Sequence, residues 1–294
     1  MSLIGGKVLI DAPMRWFTSM KVGGPVDDLF FPGDVDEVKR ILLHARKEKI
    51  PLLILGKGTN LIVRDKGIRG WVVSLTEGMN KMRADQDVLE AEAGVSLERL
   101  VQFSACQGLT GLEAFHGIPG TVGGALVMNA GAWGMEMKDV TCAVSFLNEE
   151  GELVEHCTPA LKFSYRKLDF PPSWIILRGR FRLKRGMKEE ILQRMESYGQ
   201  KRRDTQPLDR PSAGSIFKNP KEGPAGKWIE QSGLKGFRMG EAMVSDRHAN
   251  FIVNLGNATA REVTGLMEWV ERRVYEEKGI RLEREVKVVG ESGG

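Results

Sequence analysis

Residues 117–131 read Gly-Ile-Pro-Gly-Thr-Val-Gly-Gly-Ala-Leu-Val-Met-Asn-Ala-Gly. Five of these fifteen residues are glycine, and bulky apolar residues are interleaved with them, whereas a disordered linker would carry polar residues. Glycine inside an apolar run allows the backbone to lie directly against a bulky, flat group or against phosphate oxygens. The stretch therefore indicates a bound cofactor, although close packing of two backbones would also require glycine.

A second glycine-rich segment, Gly56–Asn60, follows a predicted buried strand at 51–55. A glycine turn after a strand presents several backbone N–H groups at one point, and such a nest can hold phosphate oxygens. The segment matches neither a Walker loop nor a Gly-x-Gly-x-x-Gly fingerprint, and a tight turn leaving a strand explains it equally well. Together, the two segments fit an extended dinucleotide such as a flavin better than a single phosphate.

The net charge, the cysteine count and the lengths of the apolar runs limit the class of protein to which this 294-residue chain can belong. The net charge of +4 is mild, and the basic run Lys201-Arg202-Arg203 lacks interleaved aromatic residues, so we expect no nucleic-acid partner. No apolar run reaches about 18 residues, so we expect no membrane span. Three sparse cysteines favour a reducing compartment, and residues 1–10 lack a signal-peptide core, which leaves the cytoplasm. No histidine or cysteine has metal-ligand spacing, so we expect no metal site.

Hydrophobic periodicity and capping residues predict the main elements. Helices are predicted at 34–49, 96–108, 188–203, 225–231 and 259–279, and strands at 51–55, 71–75, 88–93, 142–147, 152–156, 174–183 and 284–289. The strongest capping signals are Asp34 with Glu37 and Thr259 with Glu262. A proline- and glycine-rich stretch at 205–224 marks the entry to a second domain.

Three further places carry residues that could perform chemistry. Arg166, which follows Tyr165, has a planar fork that suits a carboxylate, although a solvated surface arginine is the commoner case. Ser215 follows Gly214, which would let the hydroxyl project into a cleft and give a proton to a strongly basic carbon; capping a turn is the alternative. No Gly-x-Ser-x-Gly elbow surrounds Ser215, which argues against a hydrolase nucleophile.

The third place is the C-terminal segment. Glu283 and Glu285 are two residues apart and would share one face of a strand. A carboxylate there could act with Arg166 and Ser215 if the end of the chain returns to the cleft, but an exposed strand face fits the spacing as well. His248, just before an apolar strand, could bind a phosphate or cap that strand.

Taken in order, these motifs resemble those of the UDP-N-acetylenolpyruvoylglucosamine reductases, the flavoenzymes that make UDP-N-acetylmuramate for peptidoglycan. The resemblance covers nearly the whole chain, and the run Ala213-Gly-Ser-Ile-Phe-Lys-Asn-Pro220 is its most specific part. The matching segments are Lys21–Pro25, Gly56–Asn60, Gly117–Gly131, Tyr165-Arg166, Thr205–Pro207, Ser212–Pro220, Trp228–Gly236, Val244–Asn254 and Glu285–Lys287.

The resemblance implies an α+β fold, in which an FAD-binding fold of the vanillyl-alcohol-oxidase (PCMH) type in two subdomains precedes a C-terminal α+β substrate-binding domain. We accordingly predict an FAD-binding domain at 1–203, divided near 66–70, a substrate-binding domain at 204–280, and a strand at 281–294 that returns to the active-site cleft.

The resemblance also implies an FAD-containing, NADPH-dependent oxidoreductase with non-covalent FAD. NADPH reduces the flavin and leaves, and flavin N5 then gives hydride to the terminal methylene of UDP-N-acetyl-3-O-(1-carboxyvinyl)-glucosamine. The product is UDP-N-acetylmuramate, a peptidoglycan precursor, which connects the protein to cell-wall biogenesis, cell shape and cell division. The implied partners are these small molecules, and we expect a monomer or a weak oligomer.

Individual residues match the family pattern by position. Ser215 is similar to the proton donor, and Arg166 and Glu285 match the pair that orients and polarises the substrate carboxylate. The implied flavin contacts are Gly56, Lys57, Gly58, Thr59, Asn60, Leu61, Pro119, Gly120, Thr121, Gly124, Gly131 and Arg202. The implied substrate contacts are Tyr165, Lys218, Asn219, Lys235 and His248.

The chain departs from the family pattern at a few positions. Thr59 stands where serine is frequent and keeps the hydroxyl, whereas Arg284 and Lys287 stand where proline and arginine are common. Because lysine cannot make arginine's bidentate contact, we assign no flavin or substrate role to Lys287. The chain also lacks the tyrosine-bearing substrate loop of one subgroup, which places it in the shorter subgroup.

Two other functions stay open at this point. A flavin-dependent oxidase of the same fold would need covalent flavin attachment or a path for oxygen, and only His116 borders the glycine-rich segments. A non-catalytic nucleotide-binding module would need neither flavin nor the Ser215–Asn219 segment.

Overall fold

The computed structural model describes residues 5–292. The predicted domain ranges also include residues 1–4 and 293–294, which lie outside the described residues. The α-helices in the described part are α1 Val35–Lys47, α2 Leu97–Cys106, α3 Val122–Val127, α4 Lys188–Thr205, α5 Ala225–Gln231 and α6 Ala260–Lys278. Its short 3-10 turns are Met14–Trp16, Glu113–Phe115 and Met137–Asp139.

The strands are short and numerous. They are β1 Lys7–Pro13, β2 Pro25–Phe31, β3 Leu52–Leu55, β4 Leu61–Val63, β5 Ile68–Ser74, β6 Met82–Asp85, β7 Val88–Glu92, β8 Leu109–Thr110, β9 Gly131–Ala132, β10 Met135–Glu136, β11 Thr141–Leu147, β12 Leu153–Cys157, β13 Lys162–Ser164, β14 Lys167–Asp169, β15 Ile175–Arg182, β16 Lys184–Arg185, β17 Ser212–Ser215, β18 Arg238–Met239, β19 Ala242–Val244, β20 Phe251–Asn254 and β21 Lys287–Val289.

The chain divides into two compact units. The first comprises the described residues up to Leu9 with Asp28–Lys57 and Gly70–Lys201, and the second comprises Ile10–Asp27, Gly58–Arg69 and the described residues from Arg202 onward. The domain boundaries drawn from the sequence stay a prediction.

The first unit contains strands of two sheets, with strand orders β1-β2-β5-β3 and β12-β11-β15-β7-β6. In the first sheet, β3 runs parallel to β5, with Leu52 opposite Trp71. The strands predicted at 142–147 and 152–156 are confirmed in the second sheet, where they form an antiparallel pair with Val144 of β11 opposite His156 of β12. Fully buried aromatic side chains fill the core of this unit, namely Phe115, Phe146 and Phe181.

Helix α1 begins as its capping residues predict. The Asp34 carboxylate accepts the backbone N–H of Glu37 at 2.9 Å, which satisfies one of the amides left open at a helix N-terminus. The Glu37 carboxylate in turn accepts the N–H groups of Gly33 and Gly5, at 2.8 and 2.7 Å. Glu37 is 8% exposed, so this carboxylate ties the residues before the helix to its first turn.

A buried carboxylate precedes the glycine-rich stretch. Glu113 is 5% exposed and accepts hydrogen bonds from the Thr110 hydroxyl at 2.6 Å and the Gly111 N–H at 2.7 Å. The Arg194 guanidinium of α4 donates to the same carboxylate at 2.9 Å. Burial alone would raise the pKa of the Glu113 carboxyl, but these hydrogen bonds outweigh it and hold that pKa below its ordinary value.

Replacing Glu113 with glutamine is expected to lower the free energy of unfolding by about 1–3 kcal/mol at pH 7, because charge-assisted hydrogen bonds become neutral ones. A depressed folded-state pKa contributes stability that is present above the unfolded pKa of about 4.3 and lost as the pH falls through the folded pKa. The deficit of the variant should therefore shrink below about pH 4. Denaturant unfolding of the parent protein and the Glu113→Gln variant between pH 3 and pH 8 measures the difference in their free energies of unfolding.

Glu190→Gln is the matched control, because Glu190 is the exposed partner of Arg194, at 3.6 Å. An exposed pair of this kind contributes at most about 0.5 kcal/mol. Equal losses in the two variants, or a Glu113→Gln deficit that does not change with pH, would contradict the role given to the Glu113 carboxylate.

The second unit packs α5 and α6 with the sheet β17-β20-β19-β18. The predicted capping box of α6 is confirmed, since Thr259 Oγ1 accepts the Glu262 N–H at 3.1 Å and Glu262 Oε2 accepts the Thr259 N–H at 2.9 Å. The Asp65 carboxylate accepts two further N–H groups of the first turn, from Ala260 and Arg261, at 2.8 and 2.9 Å. The helix ends at Gly279, whose φ of 68° is left-handed as a C-terminal glycine requires.

One predicted element is corrected, and one element was not predicted. The C-terminal strand was expected at 284–289, but β21 begins only at Lys287, where it pairs in parallel with Leu61 of β4. Arg284 forms an isolated antiparallel bridge with Phe217 instead, so this segment changes its pairing partner on the way. The glycine-rich stretch contains a short helix, α3, that its glycines had concealed, because glycine disfavours a helix interior by about 1 kcal/mol.

Candidate functional site

The structure brings the two glycine-rich segments together at Gly56 and Thr121 in the first unit. A Cβ atom added to Gly56 would lie 2.6 Å from Thr121 Oγ1, well inside van der Waals contact. Gly56 follows β3 directly, and Thr121 is the N-cap residue of α3. Strand β3 and helix α3 therefore meet so closely that a side chain at Gly56 would collide with Thr121.

The amides at the start of α3 are used within the protein. The N–H groups of Val122 and Gly123 donate to the carbonyl oxygens of Val95 and Ala93, at 2.8 and 2.9 Å. The Gly124 N–H donates to Thr121 Oγ1 at 3.3 Å. Because these three amides already have partners that hold α3 in place, they do not form a phosphate nest.

The surroundings of Gly56 fit a flat ligand nonetheless. Pro119 and Gly124 are exposed, so the backbone of the glycine-rich stretch faces outward beside the contact between Gly56 and Thr121. Gly120 has a φ of 142°, which only glycine adopts easily, and this allows the chain to turn into α3. The groups around Gly56 are backbone atoms and small side chains. They suit FAD that is held non-covalently, by close contact and hydrogen bonds.

Other predicted flavin glycines have their own packing reasons. A Cβ on Gly131 would lie 2.7 Å from the Met135 carbonyl oxygen, across the β9–β10 pair. In the second unit, a Cβ on Gly58 would lie 2.2 Å from the Phe17 carbonyl oxygen, and the Gly58 oxygen accepts the Ser19 N–H at 3.1 Å. Close backbone packing therefore accounts for both residues, whether or not they also touch a ligand.

The second unit brings the C-terminal segment beside Ser215. The Glu285 N–H donates to the carbonyl oxygen of Ile216, the residue after Ser215, at 2.8 Å. The Asn60 side-chain amide donates to the Glu285 carbonyl oxygen at 3.2 Å, and the Lys287 N–H donates to the Asn60 oxygen at 3.1 Å. Three of the predicted residues, Asn60, Ser215 and Glu285, are thus held on neighbouring backbone segments.

Ser215 lies at the end of β17, opposite Phe251 of β20. Gly214 has a φ of 74°, and a Cβ added there would meet no atom within 4 Å. The register of β17 shifts between Ser212 and Ser215, so the strand is bent at this glycine. The predicted bend at Gly214 is confirmed, with open space beside the residue that precedes Ser215.

The predicted substrate residues of this unit have varied partners. The Asn219 side-chain oxygen accepts the N–H of Ala225, the first residue of α5, at 3.0 Å. The Lys218 ammonium pairs with the Glu283 carboxylate, and Lys235 pairs with Glu230 at 2.8 Å. Both lysines are therefore neutralised in part, Lys218 by the Glu283 noted in the sequence and Lys235 by Glu230, which the sequence did not single out.

His248 is prepared to be a neutral hydrogen-bond donor. Its Nδ1 accepts the Asn250 N–H at 3.2 Å, so the proton of the neutral ring resides on Nε2. Burial lowers the pKa of His248 below its ordinary value, and the positive charge of Lys235 adds to this effect. At neutral pH the imidazole can donate from Nε2 without carrying charge.

Arg284 fastens the C-terminal segment to α6. Its guanidinium makes a two-pronged contact with the Glu271 carboxylate, and the Nη2 bond is 2.8 Å. The hydrogen bond to Glu271 raises the pKa of Arg284, against the effect of burial. Arg284 thus anchors the segment that carries Glu285.

Tyr165 and Arg166 form the turn of a hairpin in the first unit. Strands β13 and β14 pair from Lys162 opposite Asp169 to Ser164 opposite Lys167, which leaves these two residues at the tip. Arg166 has a left-handed φ of 58°, and its guanidinium carbon lies 4.9 Å from the centre of the Tyr165 ring. Non-glycine residues adopt such backbone angles where the surrounding structure imposes them, often at functional sites.

The predicted residues divide between the two units. The first unit contains Gly56, Lys57, Pro119, Gly120, Thr121, Gly124, Gly131, Tyr165 and Arg166. The second contains Gly58, Thr59, Asn60, Leu61, Arg202, Ser215, Lys218, Asn219, Lys235, His248 and Glu285. Leu61 lies in β4 beside Lys287, and Arg202 is 6% exposed, with burial lowering its pKa.

Sequence reasoning missed two polar residues that organise these regions. Asn129 is wholly buried with three side-chain hydrogen bonds, and Asp65 binds the start of α6. Asn129 lies within the quoted glycine-rich stretch, where an asparagine among apolar residues was the available signal. Within residues 5–292, no helix is both long enough and apolar enough to cross a membrane.

Two family models match the chain. A model described as an FAD binding domain matches residues 26–156. A model described as the C-terminal domain of UDP-N-acetylenolpyruvoylglucosamine reductase matches residues 206–289. The predicted α+β fold class, with an FAD-binding domain before a separate C-terminal domain, is confirmed, and so is the predicted FAD cofactor.

Similar proteins match over almost their full lengths. UDP-N-acetylenolpyruvoylglucosamine reductase of Caldanaerobacter subterraneus is 47% identical over 287 residues, which are 97% of this chain and 95% of that protein. The protein of the same name from Syntrophus aciditrophicus is also 47% identical, over 99% of this chain and 95% of its own length. The crystal structure of UDP-N-acetylenolpyruvylglucosamine reductase from Thermus caldophilus aligns with a TM-score of 0.83 at 40% identity, covering 96% of this chain and 98% of that one.

Proposed function

Because this chain belongs to the UDP-N-acetylenolpyruvoylglucosamine reductase family, we propose that it reduces UDP-N-acetyl-3-O-(1-carboxyvinyl)-glucosamine to UDP-N-acetylmuramate with electrons from NADPH. The observation that carries the proposal is the hydrogen bond from Glu285 N–H to the carbonyl oxygen of Ile216, which follows Ser215. It holds a carboxylate-bearing segment beside a serine, and these are the two groups of the second unit to which the reaction assigns chemistry.

The first unit binds the cofactor. The backbone at Gly56, beside Thr121, would receive the flavin nucleotide by close contact, and the exposed Pro119 and Gly124 would extend that surface. Bound FAD, once reduced by NADPH, would supply the hydride that the enolpyruvyl methylene carbon accepts. The remaining chemistry, namely carboxylate orientation and proton delivery, belongs to side chains of the protein.

Ser215 delivers the proton. Hydride addition to the methylene carbon leaves negative charge on the adjacent carbon and its carboxylate, and such a centre is basic enough to take a proton from a hydroxyl. A serine hydroxyl donates poorly to ordinary acceptors, so its presence here suits a carbanionic substrate better than hydrolysis. The bend at Gly214 frees space beside it.

Arg166 and Glu285 act on the substrate carboxylate. The planar guanidinium of Arg166 makes two parallel hydrogen bonds to a carboxylate and stabilises the charge that grows there during the reaction. Glu285 orients that charged end, with its backbone held by Ile216 and Asn60.

The nucleotide end of the substrate contacts Asn219, His248, Lys218, Lys235 and Tyr165. A neutral His248 can donate from Nε2 to a diphosphate oxygen, and the ammonium groups of Lys218 and Lys235 attract the anion, although Glu283 and Glu230 offset part of their charge. Lys287 pairs through its backbone with Leu61 and Asn60, and its side chain is given no part in binding because lysine cannot make arginine's bidentate contact. The cytoplasmic location and the oligomeric state stay predictions.

A two-step spectroscopic experiment tests this function. NADPH added under anaerobic conditions should bleach the flavin absorbance of the purified holoenzyme, and the enolpyruvyl nucleotide should restore it. Reoxidation by oxygen alone, at a rate the nucleotide does not increase, would favour an oxidase of the same fold. A colourless protein that cannot be reconstituted with FAD would leave only a nucleotide-binding module.

A further inference from the structure

We propose that Asn129 is a positioning residue for Arg166, acting through the carbonyl oxygen of Ser164. The inference rests on the proposed function, because it takes Arg166 to be the group that binds the substrate carboxylate. Asn129 is wholly buried, and its proposed effect on the reaction is exerted through Ser164 and Arg166.

Asn129 uses every hydrogen-bonding group of its side chain. It is 0% exposed, its Nδ2 donates to Ser164 O at 3.0 Å and to Glu136 Oε2 at 3.1 Å, and its Oδ1 accepts the Lys138 N–H at 3.0 Å. A fully satisfied polar side chain in the interior has one geometry, since any other rotamer would leave buried groups unpaired. Asn129 is therefore a rigid junction between the end of α3 and two hairpins.

The junction lies at the base of the turn that carries Arg166. Ser164 is the last residue of β13, and only Tyr165 separates it from Arg166. The far side of the hairpin is held by Leu168, which is 3% exposed in the core. Asn129 fixes one strand end and Leu168 the other, so the two turn residues have little freedom to move.

Asparagine is the residue type that this position requires. Its φ of 40° is left-handed, a conformation that asparagine tolerates better than most residues. It also needs two donors and one acceptor in a short side chain. Alanine supplies none of them, and aspartate keeps the acceptor for Lys138 but cannot donate to Ser164 and would face the Glu136 carboxylate.

The test compares the two half-reactions of the holoenzyme. Asn129→Ala should leave flavin reduction by NADPH within about twofold of the parent, while reoxidation by the enolpyruvyl nucleotide slows by about 10²-fold, as expected for a misplaced binding group. Asn129→Asp removes the same hydrogen bond to Ser164 and replaces the alanine variant in the test if that variant does not fold. FAD content and thermal unfolding show which variant is folded. Glu136→Gln is the matched control, because it keeps an oxygen acceptor for Asn129 and should leave reoxidation close to the parent rate.

A double-mutant cycle with Arg166→Ala decides the mechanism. If Asn129 acts through Arg166, changing it in an Arg166→Ala background should slow reoxidation no further. Additive effects, an unaffected Asn129→Ala, or an equally slow Glu136→Gln would overturn the positioning role while the proposed function stands. A parent protein that the nucleotide does not reoxidise would instead overturn the proposed function itself.

Discussion

Replacing Ser215 with alanine should slow reoxidation of the reduced flavin by the enolpyruvyl nucleotide by roughly 10²-fold or more, while reduction by NADPH continues at the parent rate. The asymmetry follows from the chemistry, because only the second half-reaction needs a proton delivered to carbon. Stopped-flow absorbance at the flavin band measures each half-reaction separately. The magnitude corresponds to the typical contribution of a positioned general acid.

Ser212→Ala is the matched control for this prediction. Ser212 lies in the same strand, β17, and its backbone carbonyl oxygen accepts the Ser19 hydroxyl at 2.6 Å. Alanine keeps this carbonyl group. We expect it to leave both half-reactions near the parent rates. Equal slowing of both half-reactions in Ser215→Ala would mean that Ser215 holds the fold of β17 and does not donate a proton.

Replacing Gly56 with alanine should weaken FAD binding by about one to two orders of magnitude, because the new methyl group would lie 2.6 Å from Thr121 Oγ1. Relieving such overpacking costs about 1–3 kcal/mol, and here the displaced group is the cap of α3, which holds the proposed flavin surface. Equilibrium titration of the apoprotein with FAD, followed by flavin fluorescence, gives the change in Kd.

A second substitution separates the steric cause from a loss of fold. In the double variant Gly56→Ala, Thr121→Ala, the hydroxyl that the methyl group meets is gone, so binding should recover in part. Thr121→Ala alone should cost about 1 kcal/mol of stability through the lost cap. If the double variant binds FAD no better than Gly56→Ala, the contact between these two residues does not control the flavin surface.

Elements with local signals could be predicted from the sequence. Helix α6 is the best case, since Thr259, Glu262 and Gly279 mark its ends within a few residues of the bonds they make. Helix α3 was not predicted, because Gly123 and Gly124 argue locally against a helix and the bonds to Ala93 and Val95 that hold it come from elsewhere in the chain.

The candidate site shows the same division. The pattern of Arg166, Ser215 and Glu285 named the residues, but the missed residue Asn129 depends on Ser164, 35 positions away. Asp65 likewise meets Ala260 across 195 positions. A single polar residue among apolar ones can be noticed in a sequence, but it carries no periodicity, so its partner is known only from the fold.

The residue order by itself therefore determined the cofactor class, the ends of the helices with clear capping signals and the chemical types of the candidate residues, because glycine, capping residues and side-chain acidity act over a few residues. Only the tertiary structure decided that Gly56 meets Thr121, that Asn60 and Glu285 come together across 225 positions, and that Arg166 is held on a turn with a left-handed backbone. Contacts between distant segments depend on how sheets and helices pack, and packing is a property of the whole fold.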